Sequence, residues 1–247
     1  MLKASYFLFS VLSYLFFFIV FLYSIGFVGN IYVPKGIDDG ATSPLLVAAA
    51  INIVLLGIFA VQHTVMARKP FKAWWTKIIP HQIERALYVL LSSAALALIY
   101  WQWRPMTGTV WSVDIPIVAT ALTGLFFMGW AIVLISTFLI SHLHLFGLKQ
   151  SLADAPETAD ESPVLAQTLF YKLVRHPLMT GFIIAFWATP QMTVGHLLFA
   201  IVTTAYILVA LQFEERDLIA EFGDQYHAYK QRVGMVLPML GRSPKPK

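Results

Sequence analysis

The chain predicts an all-α fold, a polytopic membrane helical bundle with about five transmembrane elements, the last of them a C-terminal helical hairpin. Three observations predict it. Of 247 residues, 58% are hydrophobic and only 12% charged, with a mean hydropathy of +0.71, whereas a soluble domain carries about 25% charge. Apolar stretches of roughly 20 residues, the length that crosses a bilayer core, recur along the chain. Lysine and arginine are also confined to alternate connections, as expected of a chain threaded back and forth through a membrane.

The first span, at about 6–28, is too long for a signal-peptide core of about 7–15 residues and lacks a small-x-small cleavage site. It reads as a retained helix. The second, at about 44–66, ends in Gln62-His63. Residues 67–82 mix basic and aromatic side chains in the manner of an interfacial segment. The third and fourth spans run at about 83–102 and 115–140. The loop 141–176 contains an acidic, proline-bearing stretch at 152–163, read as a cytoplasmic flap or plain linker. The apolar pieces 178–189 and 193–213 are separated by Thr189-Pro190-Gln191, where proline and its restricted predecessor call for a break. The first arm, about 12 residues or some 18 Å as a helix, falls short of the roughly 30 Å core. Together, 178–213 therefore read as a hairpin with one shallow arm, followed by a tail, 214–247. The whole of 1–247 reads as one domain. No internal repeat suggests a transporter.

Of seventeen lysines and arginines, only Lys35 and Arg104 lie in the connections 29–43 and 103–114. The rest lie at the N-terminus, in 67–85, in 141–176 and after 213. The positive-inside rule places both termini of this multi-pass chain in the cytoplasm. The net charge of +4 is thus topology, with membrane lipid and no nucleic acid as partner. With no cysteine in the chain, disulfides, thiolate-bound metals and a cysteine nucleophile are excluded.

The polar residues that stand out form two clusters. Tyr171-Lys-Leu-Val-Arg175-His176-Pro177 opens the hairpin, and Gly181 follows one turn later. Pro177 suits the first helical position, so Arg175 and His176 sit at the positive end of that helix, where a carboxylate is welcome. Gly181 allows a ligand or another helix to approach. Glu214 and Glu215 close the hairpin, about 100° apart on a helix, so one can pair with Arg175 while the other addresses a ligand. The second cluster is His63, Arg85, Tyr88 and His142, which the charge bias assigns to the same membrane face. His144, His81 and His196 are weaker candidates. His142-x-His144 with His63 could bind a metal, but no helical His-x-x-x-His face accompanies them and none is expected.

The Arg-His-Pro and Glu-Glu clusters around a hairpin resemble the integral-membrane methyltransferases that include isoprenylcysteine carboxyl methyltransferase. The tract Leu139 to Gln150, with Ile184 to His196, Gln62 to Arg68, Glu84 to Tyr88 and the tail from Glu214 to Pro238, is similar to the bacterial methanethiol S-methyltransferases. One departure is Met179, where the superfamily pattern Arg-His-Pro-x-Tyr-x-Gly carries tyrosine. The resemblance implies S-adenosylmethionine (SAM) as cofactor, bound near Gln150, Tyr171, Arg175, His176, Gly181, Glu214 and Glu215. It implies methylation of methanethiol to dimethyl sulfide, a reaction of a small thiol substrate. A thiolate is the better nucleophile, so a base is useful, and His63 or His142, supported by Arg85 and Tyr88, is the natural choice. The rival readings are a methyltransferase of a larger lipidic substrate, such as prenylcysteine or a phospholipid amine, and a non-enzymatic membrane protein resembling the denitrification-associated family.

Overall fold

The computed structural model describes residues 2–140, 142–152, 165, 167 and 169–238. The acidic stretch read at 152–163 lies, from residue 153 on, outside the described residues, as does the segment 239–247. Among the described residues, five helices are long and apolar enough to cross a membrane: α1 (Leu2–Gly29), α2 (Leu45–Ala67), α4 (His81–Gln102), α5 (Pro116–Ile140) and α8 (Val194–Phe222). Proline sets several starts: Pro44 and Pro80 cap α2 and α4, and Pro116 and Pro177 open α5 and the short α7 (Pro177–Trp187). The 11 residues of α7 rise about 17 Å, too little to cross, so the C-terminal element is the hairpin expected, with a shallow first arm. Its second arm, α8, runs past residue 213 to Phe222, and Glu214 and Glu215 therefore lie within the helix. The basic-aromatic connection contains the short helix α3 (Lys69–Trp75). Two more short helices are α6 (His142–Leu145) and α9 (Asp224–Arg232).

The chain divides into two compact units. The first comprises 1–112, 141–160 and 191–202 and is built on α1, α2 and α4. At one end, Phe27 and Trp103, both fully buried, meet Phe199 edge-on. Asn52 and Lys35 are paired with backbone groups there, as a membrane favours. Asn52, buried in α2, exchanges two hydrogen bonds with the Arg104 backbone at 2.8 and 2.9 Å, and the Lys35 ammonium donates to the Trp101 and Trp103 carbonyls. A two-stranded antiparallel sheet, β1 (Thr109–Ser112) with β2 (Gln191–Thr193), is pinned by Thr193 donating to Asp38 at 2.6 Å. At the other end, Met66, Tyr88, Val89 and Phe146 form a buried cluster with Tyr14 and Phe17 packed against it.

The second unit comprises 113–140, 161–190 and 203–247. Here α5 and α7 approach until their backbones nearly touch. A Cβ on Gly129 would stand 2.7 Å from the Gly181 carbonyl oxygen, and one on Gly181 would stand 2.7 Å from the Gly129 oxygen. Small residues permit this close packing where lipid offers no hydrophobic drive. The end of the chain folds back: Arg175 and His176 donate their backbone N–H groups to the Gly234 and Met235 carbonyls at 2.8 and 3.1 Å, and Thr180 donates to Val236. Residues 223–238 are therefore an ordered part of the unit, clasped against the start of α7.

Candidate functional site

In the first unit, α2 and α4 bring three of the four expected catalytic residues together. Phe59, Gln62 and His63 share one face of α2, and Arg85, Tyr88 and Ser92, spaced by three and four, share one face of α4. The Phe59 and His63 rings stack at 5.1 Å. Ser92 Oγ lies 3.2 Å from His63 Nδ1 and accepts from Gln62 Nε2 at 3.3 Å. The Tyr88 hydroxyl is 3.0 Å from both ring nitrogens of His63, so it selects neither tautomer. Arg85 donates from Nε to the Leu145 carbonyl at 2.9 Å and holds its guanidinium carbon 5.2 Å over the Tyr88 ring. An imidazole, a phenol and a cation thus form one chain of contacts.

The fourth residue, His142, is engaged elsewhere. Its Nε2 meets the Tyr14 hydroxyl of α1 at 2.9 Å, and its ring packs edge-on against Phe146. Burial pushes its pKa below the usual histidine value. His196, buried at 2% exposure, accompanies Thr193 beside the β1–β2 sheet. Gln150 belongs to the first unit, where it lines a cleft with Arg85, whereas the other expected cofactor residues belong to the second.

There, Arg175 donates from Nε and Nη2 to Glu215 Oε1 at 2.7 and 2.5 Å, and from Nη1 to the carbonyls of Val233 and Lys230. Glu215 is further held by Lys230 at 2.8 Å, Tyr226 at 3.3 Å and His176 at 3.4 Å. Arg175, His176 and Glu215 are all under 8% exposed. A carboxylate so enclosed is tolerable only because every side of it is answered by a donor. This network ties α7, α8 and α9 together and engages all three guanidinium nitrogens of Arg175 with the protein itself.

The adjacent carboxylate is different. Glu214 points out of the clasp, its side chain 52% exposed, with the His176 Nδ1 3.8 Å away. Next to the clasp lies a cleft of about 300 Å³ lined by Gln167, Tyr171, Lys172, Tyr229, Arg232 and Val233. Tyr229 donates to the Tyr171 carbonyl at 2.6 Å. Burial is the main reason that both phenols are pushed up to about 12, so they remain protonated donors. Gly181 faces α5, and the space its missing side chain leaves is taken by the Gly129 backbone.

Sequence reasoning missed Ser92 as a partner of His63, and missed Lys230 and Arg232, on the same short helix as Tyr226-x-x-Tyr229, as walls of the Arg175–Glu215 cluster. The Tyr226-x-x-Tyr229 spacing on a polar helix was the available signal: two aromatics on one face must be buried against something.

The chain is 56% identical over 227 residues to a methanethiol S-methyltransferase of Mycobacterium tuberculosis, covering 92% of this chain and 93% of that protein. It is 52% identical to methanethiol S-methyltransferase 2 of Bradyrhizobium diazoefficiens, covering 94% and 90%. A more distant similarity, 27% identity over 69% of this chain, extends to the nurim of Danio rerio. No family model and no solved structure matches the chain.

Proposed function

The chain belongs to the methanethiol S-methyltransferase family, and from that premise we propose that it transfers a methyl group from SAM to methanethiol, giving dimethyl sulfide. The observation that carries this reading is the 56% identity to such an enzyme across 92% of the chain. Neither the lipidic substrate nor the non-enzymatic alternative is favoured by these relatives.

The residues fit the proposed cofactor. The cleft beside Tyr171 and Tyr229 offers aromatic walls for a nucleobase, with Lys172 and Arg232 for a carboxylate, and the exposed Glu214 suits an ammonium or ribose hydroxyls. The Arg175–Glu215 clasp holds this wall in place by binding the tail to α7 and α8. Bound there, SAM would supply a sulfonium methyl group, which a thiolate takes as the methyl–sulfonium bond breaks and S-adenosylhomocysteine leaves.

The chain's own contribution is to make and hold the thiolate. In the tautomer that donates Nδ1–H to Ser92 Oγ, 3.2 Å away, His63 keeps a lone pair on Nε2 and takes the proton from the thiol. Tyr88 donates to the imidazole or to sulfur as the proton moves. Arg85 supplies the positive charge that favours the anion. The surrounding Phe59 and α2–α4 packing limit water, so positioning adds to the rate.

Headspace gas chromatography of the purified protein tests this. With SAM, methanethiol is expected to yield dimethyl sulfide, while prenylcysteine and phosphatidylethanolamine yield no methylated product. Methylation of either of those in place of the thiol would overturn the assignment.

A further inference from the structure

A second cleft, of about 440 Å³, opens in the first unit where α2 gives way to α3 and α4 begins. Lys72 and Thr76 line it from α3 and its cap, His81, Glu84 and Arg85 from the first turn and a half of α4, and Gln150 from the segment after α6. Lys72 and Arg85 outnumber the one carboxylate, Glu84, and the imidazoles of His81 and His144 stand beside them. Burial, and then the neighbouring Arg85, push the Lys72 ammonium below its ordinary pKa. His81 Nε2 is a buried nitrogen with no hydrogen-bond partner. These groups together ask for an anion with several acceptor oxygens.

The depth of the cleft says where such an anion comes from. The membrane helix α2 ends at Ala67 and α4 starts at His81, so the cleft stands where hydrocarbon gives way to headgroups. Its flank carries Trp74 and Ile78, 51% and 61% exposed, the amphipathic and apolar side chains that anchor a protein at that level.

We propose that this cleft binds the phosphate of a membrane phospholipid, a singly charged phosphodiester held by Lys72, His81 and Arg85, with Thr76 and Gln150 as neutral donors. It shares Arg85 and Gln150 with the methyl-transfer reading but is argued from the membrane fold and this lining alone. The charge is complementary: a lining whose cations outnumber its carboxylate meets one negative phosphodiester. Arg85 would then serve two neighbours, the headgroup on one side and Tyr88 on the other.

Native mass spectrometry of the full chain, released from vesicles containing equal phosphatidylglycerol and diacylglycerol, tests the site. The wild-type chain is expected to retain phosphatidylglycerol. The Lys72→Gln/His81→Gln double variant is expected to retain about tenfold less, the loss of one or two charge-assisted hydrogen bonds. If the double variant does not fold, Lys72→Gln alone shows a smaller loss in the same direction. Equal retention by wild-type and variant chains would overturn the site. Inorganic phosphate that raises the melting temperature of the delipidated chain as much as phosphatidylglycerol does would overturn the lipid source.

Discussion

Glu214 and Glu215 are adjacent and chemically identical, yet a rotation of about 100° along the helix gives them opposite tasks. Glu215 is enclosed by Arg175, Lys230, His176 and Tyr226, and Glu214 is left half in solvent. Replacing Glu215 by Gln leaves two cations facing a neutral amide, so thermal stability is expected to fall by about 3–5 kcal/mol, as for other broken buried pairs. Glu214→Gln should leave the melting temperature nearly unchanged and weaken SAM binding in calorimetry. Equal melting temperatures for the Glu215→Gln and wild-type proteins would show that the clasp is not structural. At His63, substitution by Ala is expected to lower kcat by about 10²–10⁴-fold with SAM affinity retained. Activity should recover in part as pH rises, because solvent then supplies the thiolate. A lowered rate with an unaltered pH profile would mean that His63 positions the substrate rather than deprotonating it. The pairing of Glu-Glu with Arg-His-Pro was legible from the sequence because buried-edge charges demand partners. Which carboxylate faces inward was not, since that depends on how α8 is rotated against α9.

At the scale of elements, the long helices were legible because hydropathy over about 20 residues is a strong signal. The shallow α7 arm was legible because Pro190 follows too few apolar residues to span a core. Two elements were not. Strands β1 and β2 are four and three residues long and pair across some eighty positions, so neither carries a local pattern. The return of 233–238 onto α7 is made by backbone groups of Val174 to His176, and backbone hydrogen bonds leave no side-chain signature. The α5–α7 contact yields a sharp expectation. In Gly181→Ala, the new methyl would meet the Gly129 carbonyl at 2.7 Å, forcing the helices apart at a cost of about 1–3 kcal/mol. Detergent-solubilised Gly181→Ala protein should unfold at a lower temperature than wild type, whereas Gly124→Ala, at a position where nothing lies within 4 Å, should not. If the two variants behave alike, the close approach is not limiting.

For the whole molecule, the five helices among the described residues that are long and apolar enough to cross a membrane, with one short arm, make a multi-pass membrane protein. The distribution of lysine and arginine predicts that both termini are cytoplasmic. Reporter fusions after residues 35 and 108 are expected to read periplasmic, and those after 75 and 247 cytoplasmic. A periplasmic C-terminus would contradict the shallow hairpin. The central claim is chemical, and the most direct test of it follows the transferred methyl group. Purified protein supplied with methanethiol and SAM bearing a trideuterated methyl group should release dimethyl sulfide carrying one deuterated methyl, read by headspace mass spectrometry. The His63→Ala protein should release little at neutral pH. Unlabelled dimethyl sulfide, or none from a folded and SAM-bound wild-type protein, would contradict the account.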